Sequence, residues 1–456
     1  FLGYKEVTER VGNRTTINII LQPDNVSINE VVVIGYGQAA KSDLTGAVAS
    51  VNMEDLANAS MSSVDEALQG RMAGVEIITT DGEPGSAASI RVRGSRSITA
   101  SNEPLIVVDG VMDAVESFAD LNPSDIKSVT VLKDASSTAI YGSRGANGVI
   151  LVTTNESKGT KLNVQFKATF GMSELARTID VMNAAEFAQW RNDYLDYSSY
   201  YSKGNDGRAN ISRNYKNPAS YGEGTDWLDV MTRKAFSQNY WLALSGGGKQ
   251  TKVYFSFSYN NTQGIVIESG QQQLSGRLKI DHSVGKWMKL GINSTYSIRN
   301  RDKAHTYISG NSASAVVSLN PLREPTDTWN SLDHNGGQVY DSPWYQAMMK
   351  TNEDRRTILT LSPYVEFNLA KGLKLKSMFS YTHTTNNNFS HSPSTMPVAE
   401  HRRTGGTASR SDSKTVNLLS ETTLTYNRTI KKKHKINAVA GFTAQNRTNE
   451  YIYMKA

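Results

Sequence analysis

Apolar and polar residues alternate along much of the chain between residues 163 and 446. Successive side chains of a β-strand point to opposite faces, so a period of two predicts strands with one apolar and one polar face. The clearest run sets an apolar series against a polar one: Leu359, Leu361, Pro363, Val365, Phe367 and Leu369 against Thr360, Ser362, Tyr364, Glu366 and Asn368. The same pattern over residues 163–170 and 237–446 predicts about nine amphipathic strands of roughly 10–14 residues.

The connections between these strands alternate between tight turns and long loops. Turns are predicted at residues 246–250, 283–286, 370–372 and 429–435, and loops at 171–236, 300–356 and 386–413, with a shorter one at 261–271. Short turns at one rim and long loops at the other are typical of outer-membrane barrels. A soluble β-sandwich also alternates, but its strands usually have about 5–6 residues, whereas about 9–11 residues cross a bilayer. The pattern therefore favours an all-β fold, a transmembrane antiparallel β-barrel whose polar face lines a wet lumen.

Pro363 conflicts with the strand that contains it. Proline donates no ladder hydrogen bond and is normally confined to strand ends, edges and bulges, so we expect a β-bulge at this position. On the same strand we expect Phe367 to face lipid and Asn368 to face the lumen, because they belong to opposite series.

Composition excludes several classes of function. Hydrophobic residues make up 38% of the 456 residues and the mean hydropathy is −0.44. No run approaches the roughly 18 apolar residues of a transmembrane helix. Cysteine is absent, which removes disulfides and thiolate chemistry. The net charge of +6 is a mild excess, and the basic run 431–435 falls in a predicted turn, which favours a solvated hairpin tip over nucleic-acid binding.

The residues before the barrel predict a compact domain of short elements. We predict helices near Ser63–Arg71 and at Ala135–Tyr141, and strands at Val75–Thr79, Ile90–Arg93, Leu105–Val108, Ile126–Leu132 and Gly148–Thr154. The chain then divides into the end of an N-terminal β-domain (1–22), a linker (23–40), the compact domain (41–155) and the barrel portion (160–456). Nine strands would leave two open edges, which hydrocarbon does not tolerate, so either further strands exist in a longer protein or the barrel interpretation is wrong.

Several ordered blocks are similar to a known family. They are VVVIGYG, LQGRMAGV, IRVRGSRSI, PLIVVDGV and DIKSVTVLKDASSTAIYGSRGANGVILVTT, followed by DWLDVM and NTQGIV. They resemble the plug and first barrel strands of SusC/RagA-like TonB-dependent outer-membrane transporters of Bacteroidota. The resemblance implies a 22-stranded barrel, plugged by a small α+β N-terminal domain, of which this chain holds about nine strands.

The resemblance also implies that one extended segment is a TonB box. This segment comprises Glu30, Val31, Val32, Val33, Ile34, Gly35 and Tyr36. An unpaired, β-branched segment can add as a strand to the sheet edge of a periplasmic partner. One alternative is an ordinary buried strand. Another is a dinucleotide fingerprint, because Gly35–Ala40 fits G-x-G-x-x-A, but that motif needs a helix starting at its glycines, whereas residues 41–52 predict a strand.

Charged residues and glycines of the plug-like domain are its candidate functional residues. The set comprises Arg91, Arg93, Gly94, Asp109, Gly110, Lys133, Asp134, Arg144, Gly145, Asn147 and Gly148. The glycine spacing around Arg144 fits no phosphate-binding loop, so tight turns with positive φ are favoured. The charged members lie near predicted strand ends, and we expect them to form reversible ion pairs with a hydrated barrel wall.

The long loops carry a predicted helix and several aromatic residues. Asn183 and Glu186 fit a capping box, which predicts a helix through Trp190 and Tyr194. The candidates for stacking on a ligand, with loop packing as the alternative, are Trp329, Trp344 and Tyr345. The His residues are scattered, and the calcium-like start at residues 333–336 lacks further ligands, so we expect no metal, no cofactor and no enzyme activity.

The family resemblance implies active import. We expect a protein of the bacterial outer membrane, surrounded by its lipid, that imports an oligosaccharide or else a peptide. Periplasmic TonB would supply the energy, a SusD-like surface lipoprotein would cover the loops, and SusC–SusD pairs could form dimers. The alternatives are a siderophore or cobalamin receptor with the same machinery, a passive porin, and a soluble dinucleotide enzyme.

Overall fold

The computed structural model describes Gly12 and residues 31–34, 37–40, 48–53, 63–79, 82–99, 101–157, 159–202, 215–304, 316–326, 342–396, 405–430 and 434–456. Two sheets dominate these residues, a nine-stranded antiparallel sheet and a five-stranded mixed sheet. No helix among the described residues is long and apolar enough to cross a membrane.

The N-terminal part contains a hairpin, a two-stranded sheet and the five-stranded sheet. The hairpin strands are β1 (Val31–Ile34) and β2 (Gly37–Ala40). The other strands are β3 (Val48–Asn52), β4 (Val75–Ile78), β5 (Ser89–Val92), β6 (Leu105–Val108), β7 (Val111–Met112), β8 (Ile126–Leu132) and β9 (Val149–Thr154). β4 pairs with β5, and the five-stranded sheet has the order β3-β8-β9-β6-β7, in which β6 and β9 are parallel.

Apolar packing holds this small α+β domain, which we call the plug, together. Its helices are α1 (Val64–Leu68) and α2 (Ala135–Thr138), with 3₁₀ turns at Phe118–Asp120, Pro123–Asp125 and Ala139–Gly145. Every β6 residue is buried, and the fully buried side chains of β8 and β9 include Val129, Val131, Leu132 and Val149. Continuous apolar runs are typical of strands covered on both faces, and the predicted bounds of β6 and β8 are confirmed.

The nine-stranded sheet, which we call the wall, is a meander in which each strand pairs with its sequence neighbours. Its strands are β10 (Asn163–Ser173), β11 (Ala235–Gly247), β12 (Thr251–Gln263), β13 (Gly270–Val284), β14 (Met288–Asp302), β15 (Thr351–Ala370), β16 (Leu373–Ser392), β17 (Thr407–Ile430) and β18 (His434–Lys455). The predicted number of strands is confirmed.

The later wall strands are longer than predicted. β17 has 24 residues, and the connection after β16 shrinks from the predicted 386–413 to residues 393–406. The added portions are polar on both faces, as in residues 384–388, so they show no alternation. Their backbone hydrogen bonds to the neighbouring strand nevertheless continue in unbroken register.

The two faces of the wall are inverted relative to a sheet in water. Polar side chains such as Ser256, Ser362 and Ser380 are buried on the face toward the plug, whereas Phe166 is 68% exposed and Phe442 70% exposed on the other face. A sheet that hides serine and displays phenylalanine is stable when the outer medium is apolar. Residues from β11 to β18 contact the plug, so the wall curves around it.

Pro363 causes no bulge, so that prediction is wrong. On one side Pro363 stays in register opposite Ile292 of β14. On the other side the pairs Leu361↔Tyr381 and Tyr364↔Met378 keep one register. The missing N–H of proline removes a ladder bond without inserting a residue. The only register shift recorded between β15 and β16 lies near the turn, between Asn368 and Ala370.

The long connections pack against one another at the rim opposite the tight turns. They contain α3 (Ala184–Ser202), α4 (Trp227–Met231), α5 (Pro343–Met349) and 3₁₀ turns at Pro218–Tyr221 and Val316–Ser318. Trp227, Met231, Val316 and Ala347 form an apolar cluster that joins three segments. The predicted capping box begins α3: the Asn183 N–H donates to Glu186 Oε2 at 3.0 Å, and the Glu186 N–H donates to Asn183 Oδ1 at 2.8 Å.

Candidate functional site

The contact between plug and wall is built mainly from one acidic stretch of the plug. Residues 109–125, which we call the acidic segment, follow β6 and contain Asp109, Asp113, Glu116, Asp120 and Asp125 but no Lys or Arg. Each of these carboxylates contacts a side chain of the wall. The segment therefore presents negative charge to the inner face of the wall.

Asp109 is the most enclosed of these contacts. It ends β6 with φ +49°, and Gly110 follows with φ +92°, which makes the sharp turn into β7. Asp109 accepts hydrogen bonds from the Thr154 N–H at 3.0 Å and from Asn293 Nδ2 at 2.7 Å, and it forms an ion pair with Arg277 of β13. Burial alone would raise the pKa of Asp109, but Arg277, Lys279 and the Thr154 hydrogen bonds outweigh it and lower the pKa to about 2. Asp109 is therefore ionised at neutral pH.

Asp120 lies between two arginines of adjacent wall strands. Its Oδ1 is 3.2 Å from Arg299 Nη1 on β14 and 3.2 Å from Arg356 Nε on β15. The side chain of Asp120 is 2% exposed. Arg299 and Arg356 are direct cross-strand partners, so the carboxylate bridges two like charges.

Glu116 and Asp113 extend the contact to β18. Glu116 accepts from Arg356 Nη2 at 2.9 Å and from Arg447 Nη2 at 2.9 Å. Asp113 pairs with Arg144 within the plug, and Arg144 also donates to Gln445 of β18. The acidic segment thus reaches the last strand of the wall.

Two further contacts join the plug to the earlier strands of the wall, β11 and β13. Trp241 Nε1 on β11 donates to Asp125 Oδ1 at 2.8 Å. Lys279 Nζ of β13 lies 3.5 Å from Glu156, which follows β9. Ties on both sides of the wall hold the plug without a continuous apolar seam, although Met378 and Leu419 of the wall do join the plug core.

A cavity of about 30 Å³ separates the acidic segment from the wall. Its plug side is apolar, with Val111, Val115 and Leu121, whereas its wall side includes Thr295 and Thr360. This volume accommodates about two water molecules. Part of the contact is therefore loosely packed.

The predicted plug residues divide into two groups. Asp109 and Arg144 reach the wall, as expected. The expectation is wrong for Arg93 and Asp134, which pair with each other inside the plug at 2.5 Å, and for Lys133, which donates to Ala73 O. Arg91 faces Glu76 across the β4–β5 pair. These residues cap and cross-link plug elements, because the neighbouring strand ends lie nearer to them than the wall does.

The predicted glycines occupy tight turns. Gly94 and Gly148 have φ of +84° and +92°, and a Cβ on Gly148 would approach Val92 to 3.0 Å. Gly145 has an ordinary φ, but a Cβ there would lie 2.9 Å from Thr138 O. Asn147 Nδ2 donates to Ser101 O at 2.8 Å and joins this turn to the connection that precedes β6.

The segment resembling a TonB box is paired over its described part. Val31–Ile34 pairs antiparallel with Gly37–Ala40; Glu30, Gly35 and Tyr36 lie outside the described residues. The prediction of an unpaired segment is therefore wrong for residues 31–34. Only two residues separate the strands, which is the commonest length for a hairpin connection. Because Gly37–Ala40 is a strand, the helix that a dinucleotide site requires is missing at this glycine.

The loop aromatics are used for packing where the structure describes them. Trp344 packs against the Trp227 cluster, and its ring centroid is 5.3 Å from that of Tyr345. The Tyr345 hydroxyl donates to Thr326 O at 3.0 Å. Trp329 and residues 333–336 lie outside the described residues, and among the described ones no group of three or more metal-ligating side chains occurs.

Sequence reasoning missed most of the interface. The missed plug residues are Asp113, Glu116, Asp120, Asp125 and Glu156, and their wall partners are Arg277, Lys279, Arg299, Arg356 and Arg447. One signal was available: a stretch of 17 residues with five carboxylates and no cation, residues 109–125, in a chain of net charge +6.

Comparisons with known proteins agree with this architecture. Residues 40–149 match the family model of the TonB-dependent Receptor Plug Domain. The chain is 35% identical over its whole length to TonB-dependent receptor P26 of Formosa agariphila, of which it covers 45%. It is 32% identical over 74% of its length to TonB-dependent receptor SusC of Bacteroides thetaiotaomicron, of which it covers 32%.

A solved structure of the RagAB peptide importer in the "open-open" state matches with a TM-score of 0.77 and 25% identity, over 93% of this chain and 50% of that chain. The chain thus spans about half the length or less of the relatives it matches. The wall is part of a TonB-dependent receptor barrel, the domain inside its curve is the plug, and the chain belongs to the SusC/RagA-like TonB-dependent transporters.

Proposed function

We propose that the complete protein imports a nutrient across the bacterial outer membrane with energy supplied by TonB. The observation that carries this proposal is the combination of an inverted wall and a separable plug. The wall exposes Phe166 and Phe442 and buries serines, which fits a lipid exterior and a polar lumen. That lumen holds a domain with its own core, tied to the wall chiefly by polar contacts.

The segment Glu30–Tyr36 is the proposed handle for TonB. Residues 31–34 are β-branched and form one strand of a two-stranded hairpin that lies close to β9 of the plug, and two strands by themselves contribute only marginal stability. Among the described residues β1 pairs with β2 alone, so TonB could add to its other edge or replace β2, and in either case backbone hydrogen bonds would supply the grip. Because this segment precedes β3, a pull on it reaches the plug directly through the chain.

The proposed cargo is an oligosaccharide, with a peptide as the other class. A SusD-like surface lipoprotein is the proposed partner over the packed loops, with dimers of such pairs as the assembly. The similarity to SusC and to one component of the RagAB peptide importer supports a paired transporter. No step of the proposed function makes or breaks a bond in the cargo.

A siderophore or cobalamin receptor is the second candidate within the same machinery. The paired homologues favour the first candidate. Purification of the full-length protein from its native membrane separates the two: co-purification of a lipoprotein favours oligosaccharide or peptide import, and isolation of a lone receptor favours a metal chelate.

Deletion of residues 30–36 in the full-length protein tests energised import. We expect uptake to fall to the level of a strain lacking the protein, at unchanged outer-membrane abundance. Val32→Pro removes a strand hydrogen bond and should have the same effect, whereas the matched variant Val32→Thr keeps the β-branched shape and should retain uptake. A passive porin would keep its uptake in all three variants, and that result would overturn the proposal.

A further inference from the structure

We propose that Arg299 and Arg356 form a binding site for an anionic group of the cargo, and that Asp120 of the plug occupies this site while the channel is closed. The inference rests on the proposed function, because it concerns what the wall presents when the plug moves. It assigns the cargo a chemical class: oligosaccharides that carry carboxylate or sulfate groups.

The first argument is the register of the two arginines. Arg299 and Arg356 are directly opposite each other on β14 and β15, and both point to the plug side, where their side chains are 11% and 10% exposed. Like charges directly opposite on one face destabilise a sheet, and partial burial strengthens the repulsion. The pair requires an anion, and in the closed plug Asp120 Oδ1 supplies it at 3.2 Å from each guanidinium, while Glu116 also accepts a hydrogen bond from Arg356.

The second argument is that Asp120 fills the site incompletely. Both contacts use Oδ1, while Oδ2 has no hydrogen-bond partner. The ion-pair geometry leaves Arg299 Nη1 and Arg356 Nε without hydrogen bonds as well. A guanidinium binds carboxylate or sulfate best through two parallel N–H donors. A freely oriented anionic group can therefore satisfy donors that Asp120, held by its backbone in a 3₁₀ turn, leaves unused.

The third argument is the source of the neutralising charge. Among the described residues, the ion pairs of Arg277, Arg299, Arg356 and Arg447 all go to plug carboxylates. Arg301, on the same face of β14 two residues after Arg299, instead pairs with Asp354 of the wall at 3.2 Å. Withdrawal of the acidic segment would uncover positive charge at the first four positions and leave Arg301 paired. The opened path would therefore attract anions along several strands.

Chemical rescue tests the site without transport. Asp120→Ala in the full-length protein in detergent should lower the denaturant concentration at which a protease releases half of the plug. The reason is that Arg299 and Arg356 then repel each other without the carboxylate between them. The space left by the Asp120 side chain adds to the cavity of about 30 Å³ beside it, which makes room for a small anion. Acetate or sulfate at about 100 mM should restore most of the lost stability, since binding only to the folded form stabilises it, whereas chloride at equal ionic strength should not.

The control for rescue is Asp120→Ala combined with Arg299→Gln, which removes the site and should abolish the response. Equal effects of acetate, sulfate and chloride on Asp120→Ala would overturn the site. So would an Asp120→Ala protein that is as stable as the wild type and indifferent to acetate. Neither result depends on TonB, so this failure is distinguishable from failure of the proposed function.

Uptake by energised cells tests the cargo class. Labelled uronate-bearing, sulfated and neutral oligosaccharides of equal length should be offered to cells that express the wild type, Arg299→Gln/Arg356→Gln or Arg301→Gln. The double variant should lower uptake of anionic cargo by about ten-fold or more, since charged hydrogen bonds contribute about 1.5–3 kcal/mol each. Arg301→Gln should change it by less than about two-fold, because Arg301 stays paired with Asp354 of the wall and is not uncovered when the plug withdraws.

The uronate and sulfate arms identify which anionic group is recognised, and preference for either over the neutral sugar supports the inference. Equal loss of anionic and neutral uptake in the double variant would show a structural role and overturn it. Uptake of acidic peptides with no uptake of anionic sugars would overturn the assigned class while leaving energised import intact.

Discussion

The interior of the plug and its contact with the wall are built on different principles. Inside the plug, β6, β8 and β9 bury Val107, Val131 and Ile150 in an apolar core. At the wall, the acidic segment meets arginines, an indole N–H and a small cavity. Separating an apolar core exposes all of its buried area to water at once, which is unfavourable. Ion pairs, by contrast, can exchange partners with water and other ions. The plug is therefore built to hold its shape more firmly than its position.

The largest expected effect comes from breaking the most enclosed ion pair of the contact. Asp109→Ala leaves Arg277 buried without its carboxylate, and loss of one partner of a buried pair costs about 3–5 kcal/mol. Hydrogen exchange should show a plug that is more easily released from the wall. The double variant Asp109→Ala/Arg277→Met should recover much of the loss, since no buried charge remains. A double variant no better than the single one would contradict the electrostatic account.

The outer face of the wall gives the next effect. Phe257 lies at the middle of β12 and is 40% exposed, so Phe257→Arg should destabilise the barrel by about 2–4 kcal/mol in lipid. Phe367 stacks on Trp287 at the turn, with centroids 6.0 Å apart, so Phe367→Arg should cost about 0–1 kcal/mol, as expected near the interface. Urea titration in liposomes would measure both; equal effects would contradict the assigned depth.

A buried carboxyl in the plug interior gives a pH-dependent effect. Burial raises the pKa of Asp65 to about 6 from 3.8, and its Oδ1 has no hydrogen-bond partner. The folded protein thus favours protonated Asp65, and an ionised Asp65 lowers the free energy of unfolding. This loss is absent below about pH 4, grows up to about pH 6 and is constant above it. Asp65→Asn should stabilise the plug by up to about 3 kcal/mol at pH 7.

At pH 4 the same substitution should hardly change the free energy of unfolding, so the measurement at pH 4 is the control. Thermal unfolding of wild type and variant at both pH values would measure the difference. A gain of equal size at pH 4 and pH 7 would show that the substitution acts through packing and not through ionisation.

The smallest effect is expected for an ion pair between two residues at the surface of the plug. Arg93 and Asp134 are 46% and 26% exposed, and exposed pairs contribute about 0–1 kcal/mol. Arg93→Gln should therefore change plug stability by less than about 1 kcal/mol and leave the wall contact unaltered. Hydrogen exchange at α2 and at the wall arginines would test both parts; loosening of the wall contact would contradict the assigned partner.

Local patterns predicted much of the fold. Alternation predicted about nine wall strands, of which the structure has nine, and the continuous apolar runs of β6 and β8 predicted their bounds. The capping box located the start of α3. Each of these features is decided by residues close in sequence, which is why a single chain shows them.

Pairings between distant residues were not predictable in the same way. Arg93 could satisfy its charge at the wall or at Asp134, and only the folded arrangement decides. The partners Asp120 and Arg356 are 236 positions apart, and nothing local to either residue specifies the other. The family resemblance indicated a plug inside a barrel but not which side chains join them.

The position of β3 at the margin of the five-stranded sheet has a mechanical consequence. β3 is the first strand of this sheet after residues 30–36, and among the described residues β8 is its single neighbour in the order β3-β8-β9-β6-β7. If TonB pulls on residues 30–36 as proposed, the tension would peel β3 away by opening one ladder, while the other four strands stay joined. This layout would turn a steady pull into a graded opening and leave a template on which the detached strand can pair again once the tension ends.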